Sequence, residues 1–355
     1  MTNPGKLKGR GTGSRVDPRY LAHTREAVDD GWHHGEESGR VATTVTVEHP
    51  RTIISRNRSP DVPFEASLNP YRGCEHGCVY CYARPTHAYL DLSPGLDFES
   101  RLFAKPDAPE LLRRELGKPG YRCTPLAMGT NTDPYQPVER RWGITRRVLE
   151  VLSEARHPLS IVTKASLVER DLDILAPMAE RGLVQVFLSV TSLDNDLARR
   201  LEPRAAAPAR RLETLSRLHG AGIPVGVMFA PVIPFVNDAD MEAVLEQAAA
   251  AGAESAGYVM LRLPHEIKQL FRDWLKINAP DRENHVMNVI SDLRGGREND
   301  PRFHSRMRGT GQYADLIRQR FQRACRRLGL NRRRRELDTS LFIPPGSEGV
   351  QQTLF

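Results

Sequence analysis

Six short apolar runs rich in β-branched residues recur along the central part of the chain, and helical patterns lie between several of them. The runs lie at Ser67–Tyr71, Pro125–Thr130, Leu159–Thr163, Leu183–Thr191, Ile223–Ile233 and Ser255–Leu263. Strands that alternate with helices form a parallel sheet with right-handed crossovers. The pattern therefore predicts either a doubly wound α/β sheet or a partial barrel, and function is expected at the C-terminal ends of the strands.

The composition excludes several classes of protein. Of the 355 residues, 39% are hydrophobic, which is enough for a substantial core and excludes a wholly disordered chain. No apolar run approaches the roughly 18 residues of a membrane span, and the N-terminus MTNPGKLKGRGTGSR has no hydrophobic segment. We therefore expect a cytoplasmic protein without a membrane partner. Five cysteines in such a protein indicate metal ligands or catalytic groups before disulfides.

Changes in pattern divide the chain into four parts. Residues 1–60 lack sustained periodicity and are predicted to be a mobile N-terminal arm, with one short strand starting at Val41. Residues 61–290 hold the alternating pattern, and residues 291–335 form an Arg-rich segment with a helical pattern. Residues 336–355 are rich in Pro, Gly and Ser and are predicted to be a flexible tail.

Three cysteines lie close together directly after the first predicted strand. Cys74, Cys78 and Cys81 have the spacing C-x3-C-x2-C within RGCEHGCVYCYAR. A structural zinc site usually takes four ligands as two separated pairs, and a ferredoxin-type 4Fe–4S cluster takes four cysteines. Cys123 and Cys325 are distant and are expected to be ordinary buried residues. A 4Fe–4S cluster on three cysteines would leave one iron open to an exchangeable ligand, which is a reactive arrangement.

The C-x3-C-x-aromatic-C motif, with Tyr80 as the aromatic residue, resembles the radical S-adenosylmethionine (radical SAM) superfamily. A narrower resemblance rests on LNPYRGCEHGCVYCYAR, GTNTDPYQPVE, VTK, LSVTS, LEPRAAAPARRL and AGIPVGVMFAPVIP, which occur in that order. Together they are similar to the subgroup related to spore photoproduct lyase, often described as DNA-repair-photolyase-like proteins.

The resemblance implies a partial (β/α)6 TIM-type barrel at residues 61–290, with a basic helical C-terminal extension and flexible termini. It also implies that the three cysteines hold a 4Fe–4S cluster whose open iron binds S-adenosylmethionine (SAM). An external electron donor such as flavodoxin or ferredoxin would supply one electron. The SAM sulfonium would then be cleaved, and the resulting 5′-deoxyadenosyl radical would abstract hydrogen from a substrate.

Matching positions extend the resemblance to individual side chains at the strand ends. The implied cofactor-binding residues are Thr132, Asp133, Lys164, Ser189, Glu202 and Arg204. Each has an alternative reading in the residues themselves: a turn for Thr132 and Asp133, a solvated strand end for Lys164, a small barrel-facing residue for Ser189, and a loop-holding ion pair between Glu202 and Arg204.

One position departs from the family pattern. Spore photoproduct lyase uses a cysteine at the end of the second strand to return a hydrogen atom to a product radical, and Thr130 stands at the matching position here. Because a hydroxyl group is a poor hydrogen-atom donor, transfer of that activity to this chain is doubtful. Tyr135 is an alternative catalytic donor, and the other reading is a packed loop aromatic.

Charge and the C-terminus point to nucleic acid. Arg294–Arg335 contains 14 arginines, no lysine and 3 acidic residues, which indicates either a polyanion partner or a solvated helix face. Gln351–Phe355 (QQTLF) resembles the peptide by which bacterial repair and replication proteins bind the sliding clamp.

The sequence thus predicts a radical SAM enzyme acting on DNA in lesion repair. The alternatives are modification of RNA, a protein or a small molecule, and a non-catalytic nucleic-acid-binding protein with a structural metal site.

Overall fold

The computed structural model describes residues 9–20, 41–333 and 335–346. The strands in these ranges are β1 (Thr44–Val47), β2 (Ile54–Arg56), β3 (Ala66–Leu68), β4 (Tyr71–Arg72), β5 (Arg101–Ala104), β6 (Leu126–Met128), β7 (Leu159–Thr163), β8 (Val184–Ser189), β9 (Val225–Val232) and β10 (Ser255–Met260). The helices are α1 (Leu96–Ser100), α2 (Ala108–Leu116), α3 (Glu139–Trp142), α4 (Ile144–Glu154), α5 (Leu172–Glu180), α6 (Asn195–Leu201), α7 (Pro208–Gly220), α8 (Met241–Ala250), α9 (Ile267–Asn278), α10 (Glu283–Asp292), α11 (Ser305–Arg308) and α12 (Gln312–Leu328).

A seven-stranded sheet forms the centre of the fold. Its strand order is β10-β9-β8-β7-β6-β3-β2, with every pair parallel except β2 on β3. All six strands expected from the apolar runs are present, and helices follow them on the outside of the sheet. The edge strand β10 does not pair with β3, so the sheet is open. This arrangement is consistent with the partial barrel that the sequence predicts.

The core lies between the sheet and the surrounding helices because each helix presents one apolar face. In α4, for example, Ile144, Val148, Leu149 and Leu152 are completely buried, while Glu150 on the opposite side is exposed. Full burial of each such side chain contributes about 1.5–3 kcal/mol. The sheet and its helices therefore form a rigid support for loops at the C-terminal strand ends.

The part of the predicted N-terminal arm that the structure describes is packed rather than mobile. The strand expected from Val41 onward is β1, which pairs with β5 in a small second sheet of order β1-β5-β4. Residues 9–20 are held by Glu99, whose carboxylate accepts hydrogen bonds from the backbone N–H groups of Gly11 and Thr12 at 2.8 and 3.0 Å. This carboxylate also pairs with the buried Arg84. Long-range contacts of this kind leave no periodic pattern in the sequence.

The Arg-rich segment forms α12, which packs against α8. Arg320 bridges to Glu242 at 2.6 Å, and Arg327 pairs with Glu246. Arg294 is buried and donates to backbone carbonyl groups, including that of Leu261 at 2.6 Å. Part of the basic block is therefore occupied by contacts inside the protein.

The chain after α12 crosses the N-terminal ends of the central strands. The Asn331 side chain bonds the backbone of Ala256 near the start of β10. Asp338 N–H donates to the Gly182 carbonyl before β8, and Ile343 N–H donates to the Ala155 carbonyl before β7. Residues 336–346, which belong to the tail predicted to be flexible, are thus attached to the turns before β7 and β8. The QQTLF peptide lies outside the described residues. Within the ranges that the structure covers, no helix is both long and apolar enough to span a bilayer.

Candidate metal-cluster and cofactor site

The three clustered cysteines lie on a loop at the C-terminal end of β3. Gly73 and Gly77 adopt left-handed backbone conformations with φ of 74° and 67°, which only glycine takes readily. A Cβ at Gly73 would lie 2.7 Å from the Phe98 carbonyl oxygen, so this close approach also requires glycine. Backbone hydrogen bonds from Cys74 to Phe98 and from Val79 to Leu201, at 2.9 and 3.0 Å, fix the loop from both sides.

The three thiols are free, and Cys81 packs against both of the apolar groups that contain the other two. Cys74 and Cys78 are buried, whereas Cys81 is partly exposed. Burial raises the pKa of Cys78 to about 12 and the pKa of Cys74 well above its usual value. Without a compensating cation, a buried thiolate is unfavourable. The site therefore suits a cationic metal centre that would stabilise the deprotonated sulfurs.

The donor set fits a 4Fe–4S cluster with one iron that has no cysteine ligand. Thiolates are the ligands that such clusters take, and the loop supplies three of them. The other two cysteines lie elsewhere, since Cys123 precedes β6 at the opposite edge of the sheet and Cys325 lies on α12. Among the described residues, no group of three or more His, Cys, Asp or Glu side chains is placed to hold a single metal ion.

Asp133 is a buried acceptor beside the cysteine loop. His76, within the loop, approaches Asp133 Oδ2 with its Nδ1 at 3.3 Å. Thr163 Oγ1 and the Lys164 backbone N–H donate to the same carboxylate at 2.7 and 2.8 Å. Burial opposes ionisation, but His76 and these donors outweigh it and lower the pKa of Asp133 to about 2. Its carboxylate is thus an ionised anchor that joins the cysteine loop to the end of β7.

Glu202 is the centre of a second buried network. Its carboxylate accepts hydrogen bonds from Tyr80 and Arg211, and from Thr191 at 2.9 Å. Burial raises the pKa of Glu202, but the cations Arg211 and Lys164 outweigh it and bring the pKa below its usual value. Glu202 therefore pairs with Arg211 and not with Arg204, which was the partner considered from the sequence.

Lys164 lies between these two networks. Burial lowers the pKa of its ammonium group, but Glu202 and Cys78 outweigh burial, so the net shift is upward and the group stays charged. Its Nζ lies 6.0 Å from the centre of the Tyr80 ring. No hydrogen bond or ion pair within the described ranges uses that ammonium group. Lys164 is therefore a free cation next to the buried thiols.

The remaining predicted residues occupy different positions. The Thr132 hydroxyl donates to the Tyr71 carbonyl at 3.0 Å, and Arg204 pairs with Glu75 at 2.9 Å. Ser189 is buried at the end of β8, and its carbonyl accepts from Arg211. These contacts hold the loops around the cysteines.

The Tyr135 backbone N–H donates to Asp133 at 2.9 Å, but its hydroxyl lies among other charged residues. Its hydroxyl is buried without a close hydrogen-bond partner in the described structure, and the charged groups that act on it are Asp171, Arg170 and Glu139. Burial raises its pKa well above the usual value. Its role as a hydrogen donor stays a prediction.

Sequence reasoning missed several residues that shape the site. Arg211 lies within the quoted LEPRAAAPARRL motif, but nothing in that motif distinguishes this buried arginine from the two partly exposed ones. Gln136 accepts from the Glu75 N–H at 2.9 Å and donates to the Gly73 carbonyl at 3.1 Å, so it holds the cysteine loop from β6. The sequence indicates a role for Gln136 only through its place in the GTNTDPYQPVE motif.

Comparison with known proteins decides the family. A family model described as the radical SAM superfamily matches residues 68–248, which is more than half of the chain and includes all three cysteines. The chain belongs to the radical SAM superfamily. Enzymes of this superfamily use a 4Fe–4S cluster and SAM, as the resemblance implied.

Curated relatives of this radical SAM protein have uncharacterized functions. Uncharacterized protein Rv2578c of Mycobacterium tuberculosis is 39% identical over 222 residues, which are 62% of this chain and 65% of the relative. Uncharacterized protein MJ0683 of Methanocaldococcus jannaschii is 28% identical over 175 residues, covering 49% of this chain and 62% of the relative. The match thus spans slightly less than two thirds of each relative's length.

The fold of this radical SAM protein is similar to that of spore photoproduct lyase. A structure of that enzyme complexed with dinucleoside spore photoproduct matches with a TM-score of 0.56, covering 81% of this chain and 80% of that chain. A mutant of the same enzyme with bound AdoMet and the same dinucleoside gives the same TM-score. At 15% identity, the similarity shows the fold alone.

Proposed function

We propose that this protein is a radical SAM enzyme that acts on nucleic acid, with repair of a DNA lesion as its reaction. Cys74, Cys78 and Cys81 would hold the 4Fe–4S cluster. When bound, the cluster reduces SAM by one electron and so generates the radical that removes hydrogen from the substrate. The observation that carries this proposal is the group of three thiols, two of them buried and that of Cys81 partly exposed, close to the charged ammonium group of Lys164.

Some residues of the chain would bind SAM directly, and others would hold the binding residues in place. Lys164 would pair with the carboxylate of SAM, because its ammonium group is charged and has no hydrogen-bond or ion-pair partner among the described residues. Asp133 and Glu202 already accept several hydrogen bonds each, so their task is to position Lys164 and the cysteine loop. Thr132, Ser189 and Arg204 would maintain the shape of the surrounding loops through the contacts described above.

Two observations support a nucleic-acid substrate. Six arginines of Arg294–Arg335 form no ion pair among the described residues and are exposed: Arg297, Arg308, Arg323, Arg326, Arg332 and Arg333. Exposed guanidinium groups suit phosphate contacts. The shared fold with an enzyme solved with a dinucleoside lesion supports DNA over the alternatives of RNA, protein or a small molecule.

Three further parts of the proposal follow from the sequence. The chemistry needs an external electron donor such as flavodoxin or ferredoxin, and we place the protein in the cytoplasm. Gln351–Phe355 would bind the bacterial sliding clamp. Thr130 stands where spore photoproduct lyase has its hydrogen-donating cysteine, so the lesion is proposed to differ from the spore photoproduct or to use another donor.

Electron paramagnetic resonance tests the cluster and its ligand. Anaerobically reconstituted, dithionite-reduced protein should give a 4Fe–4S signal that changes when SAM is added. Cys78→Ala should abolish the signal, whereas Cys123→Ala, which removes a thiol outside the loop, should leave it unchanged. A protein that carries only zinc, or a cluster signal that does not respond to SAM, would contradict the radical mechanism and favour a non-catalytic nucleic-acid-binding protein.

A further inference from the structure

Arg262 lies at the same edge of the sheet as the cysteine loop, directly after β10. Its guanidinium carbon is 5.4 Å from the centre of the Tyr82 ring. Tyr82 follows the third cysteine in the chain, is 45% exposed, and donates its hydroxyl to the Thr130 carbonyl at the end of β6. One aromatic ring thus connects Arg262 to both the cysteine loop and the C-terminal end of a central strand.

The Arg262 guanidinium lacks the partners that its burial requires. Among the residues that the structure describes, its buried Nε forms no hydrogen bond, and Nη1 has only a 3.8 Å contact with the Met307 sulfur, which is a weak acceptor. No carboxylate within the described ranges forms an ion pair with it. Buried polar groups are nearly always hydrogen-bonded, so an arginine left with spare donors calls for an explanation.

Neighbouring arginines show that the lack of partners is specific to Arg262. Arg294 donates to the carbonyl groups of Leu261, Ser305 and Arg306. Arg306 pairs with Asp61 at 2.5 Å and so has a full counter-charge. Burial and then the positive charge of Arg306 lower the pKa of Arg262, and the opposing effects of Tyr82 and Asp61 are too small to offset them. An anion at this position would be stabilised by the Arg262 guanidinium group.

We propose that Arg262 binds an oxyanion of the substrate, a phosphodiester group of the nucleic acid, while the exposed Tyr82 ring forms a stacking surface beside it. The inference rests on the proposed function, because it names where the nucleic acid is held relative to the cysteine loop. Aromatic rings next to arginines are the usual means by which proteins bind unpaired bases and their phosphates.

The carboxylate of SAM is the other oxyanion that could reach this edge of the sheet. Lys164 is the better partner for it, because Lys164 lies beside Tyr80 and is acted on by Cys78, Glu202, Arg211 and Asp133. Arg262 has Arg306, Tyr82 and Asp61 as its charged and aromatic neighbours. The two cations share no such neighbour, so the structure provides two separate oxyanion positions.

The test compares Arg262→Gln, Arg262→Lys and the control Arg181→Gln in the full-length protein. Arg181 is exposed at the end of α5, near the opposite edge of the sheet, so its substitution removes the same charge far from the cysteines. Fluorescence anisotropy measures the affinity for a labelled single-stranded oligonucleotide at several salt concentrations. The SAM-induced change in the reduced cluster signal is measured in parallel, and thermal unfolding checks each variant.

Arg262→Gln should weaken oligonucleotide affinity about tenfold and reduce the steepness of its salt dependence by about 0.7 in the log–log slope. Arg262→Lys should retain part of the affinity, while Arg181→Gln should match the wild type and all variants should keep the response to SAM.

Unchanged affinity in a folded Arg262→Gln protein would overturn the inference but leave the proposed function. A lost SAM response with normal oligonucleotide affinity would assign Arg262 to SAM and also overturn it. If the wild type itself fails to bind oligonucleotide, the proposed nucleic-acid substrate fails and the inference fails with it.

Discussion

At the scale of single residues, Glu202 carries a negative charge in the protein interior, and Arg211 is the side chain that balances it. Both side chains are almost fully buried, with exposed fractions of 0% and 1%. Arg211 also donates to the carbonyl groups of Ala206 and Ser189 at 2.7 and 2.8 Å. The pair therefore ties the end of β8 to the loop that follows α6, next to Lys164.

Replacement of Arg211 should consequently be costly. Arg211→Met leaves Glu202 buried and short of its main counter-charge, and we expect the free energy of unfolding to fall by about 3–5 kcal/mol. Arg204→Met is the matched control, because Arg204 is one-third exposed and pairs with Glu75. Urea unfolding of the cluster-free protein measures both. Equal losses for the two variants would contradict the assignment of Arg211 as the partner of Glu202.

The residues that could be predicted from the sequence differ in kind from those that could not. The three cysteines and Lys164 were predicted because short motifs at strand ends fix their positions. Arg211, Glu99 and Arg262 were not predicted, because their long side chains find partners that are distant in sequence or find none. Such contacts depend on the packed geometry, and hydrophobic periodicity carries no information about them.

At the scale of elements, the segment 9–20 covers the cysteine loop. Gly11 lies so close to Gly77 that a Cβ at this position would overlap the Gly77 carbonyl group. Ser14 and Val16 carbonyl oxygens accept from the Leu96 N–H at 3.2 Å and the Ser93 hydroxyl at 2.7 Å, which extends the attachment along α1. The segment therefore shields one side of the loop from solvent.

Gly11→Ala should displace this segment. The cluster-free variant should react with iodoacetamide at Cys74 and Cys78 at least about fivefold faster than the wild type, because a loss of 1 kcal/mol in local stability raises the open population by that factor. Gly9→Ala is the control, since Gly9 has a φ of 78° but no atom within 4 Å of a Cβ. Mass spectrometry of the alkylated cysteines gives the rates. Equal rates for the wild type and Gly11→Ala would show that the segment does not shield the loop.

The segment 335–346 is also attached through an aromatic contact. His157, before β7, is buried against Phe342, and its Nε2 lies 2.9 Å from the Tyr121 hydroxyl. Burial lowers the pKa of His157 to about 4, so the neutral ring is the folded form. A folded-state pKa below the unfolded value of about 6.5 means that stability is fully present above pH 6.5 and is lost as the pH falls towards 4.

His157→Phe should remove this contribution to acid sensitivity. Between pH 6.5 and 4, the free energy of unfolding should fall by up to about 1.4 kcal/mol per pH unit more in the wild type than in the variant. The reason is that His157 takes up a proton when the wild type unfolds, whereas phenylalanine cannot. His87, whose pKa burial also lowers to about 4, remains in both proteins and gives the same background slope. Urea unfolding at several pH values measures the difference. Parallel pH profiles for the two proteins would contradict it.

At the scale of the whole molecule, the two ends of the central strands carry different groups of residues. The C-terminal strand ends hold the cysteines, Lys164 and Arg262. The N-terminal ends are crossed by the chain from Asn331 to Pro345, whose carbonyl group lies against Gly117. The alternation of strands and helices predicted this sheet, but a crossing segment without periodicity could not be predicted, because its few hydrogen bonds are made to distant turns.

This separation leads to a prediction about the two proposed partners. The described chain ends at Gly346 on the edge opposite the cysteines, and only four residues separate it from Gln351. A sliding clamp bound at Gln351–Phe355 should therefore leave Arg262 and the cysteine loop accessible, so saturating clamp should not displace an oligonucleotide that is bound there. Replacing Leu354 and Phe355 by Ala should weaken clamp binding by about 30-fold or more, since two apolar anchors are lost, while the SAM response and oligonucleotide affinity stay unchanged. Surface plasmon resonance on immobilised clamp, with and without oligonucleotide, measures both effects. If the double variant binds clamp as the wild type does, the peptide is not the clamp ligand, and if clamp competes with oligonucleotide, the two partners meet at the same edge of the sheet.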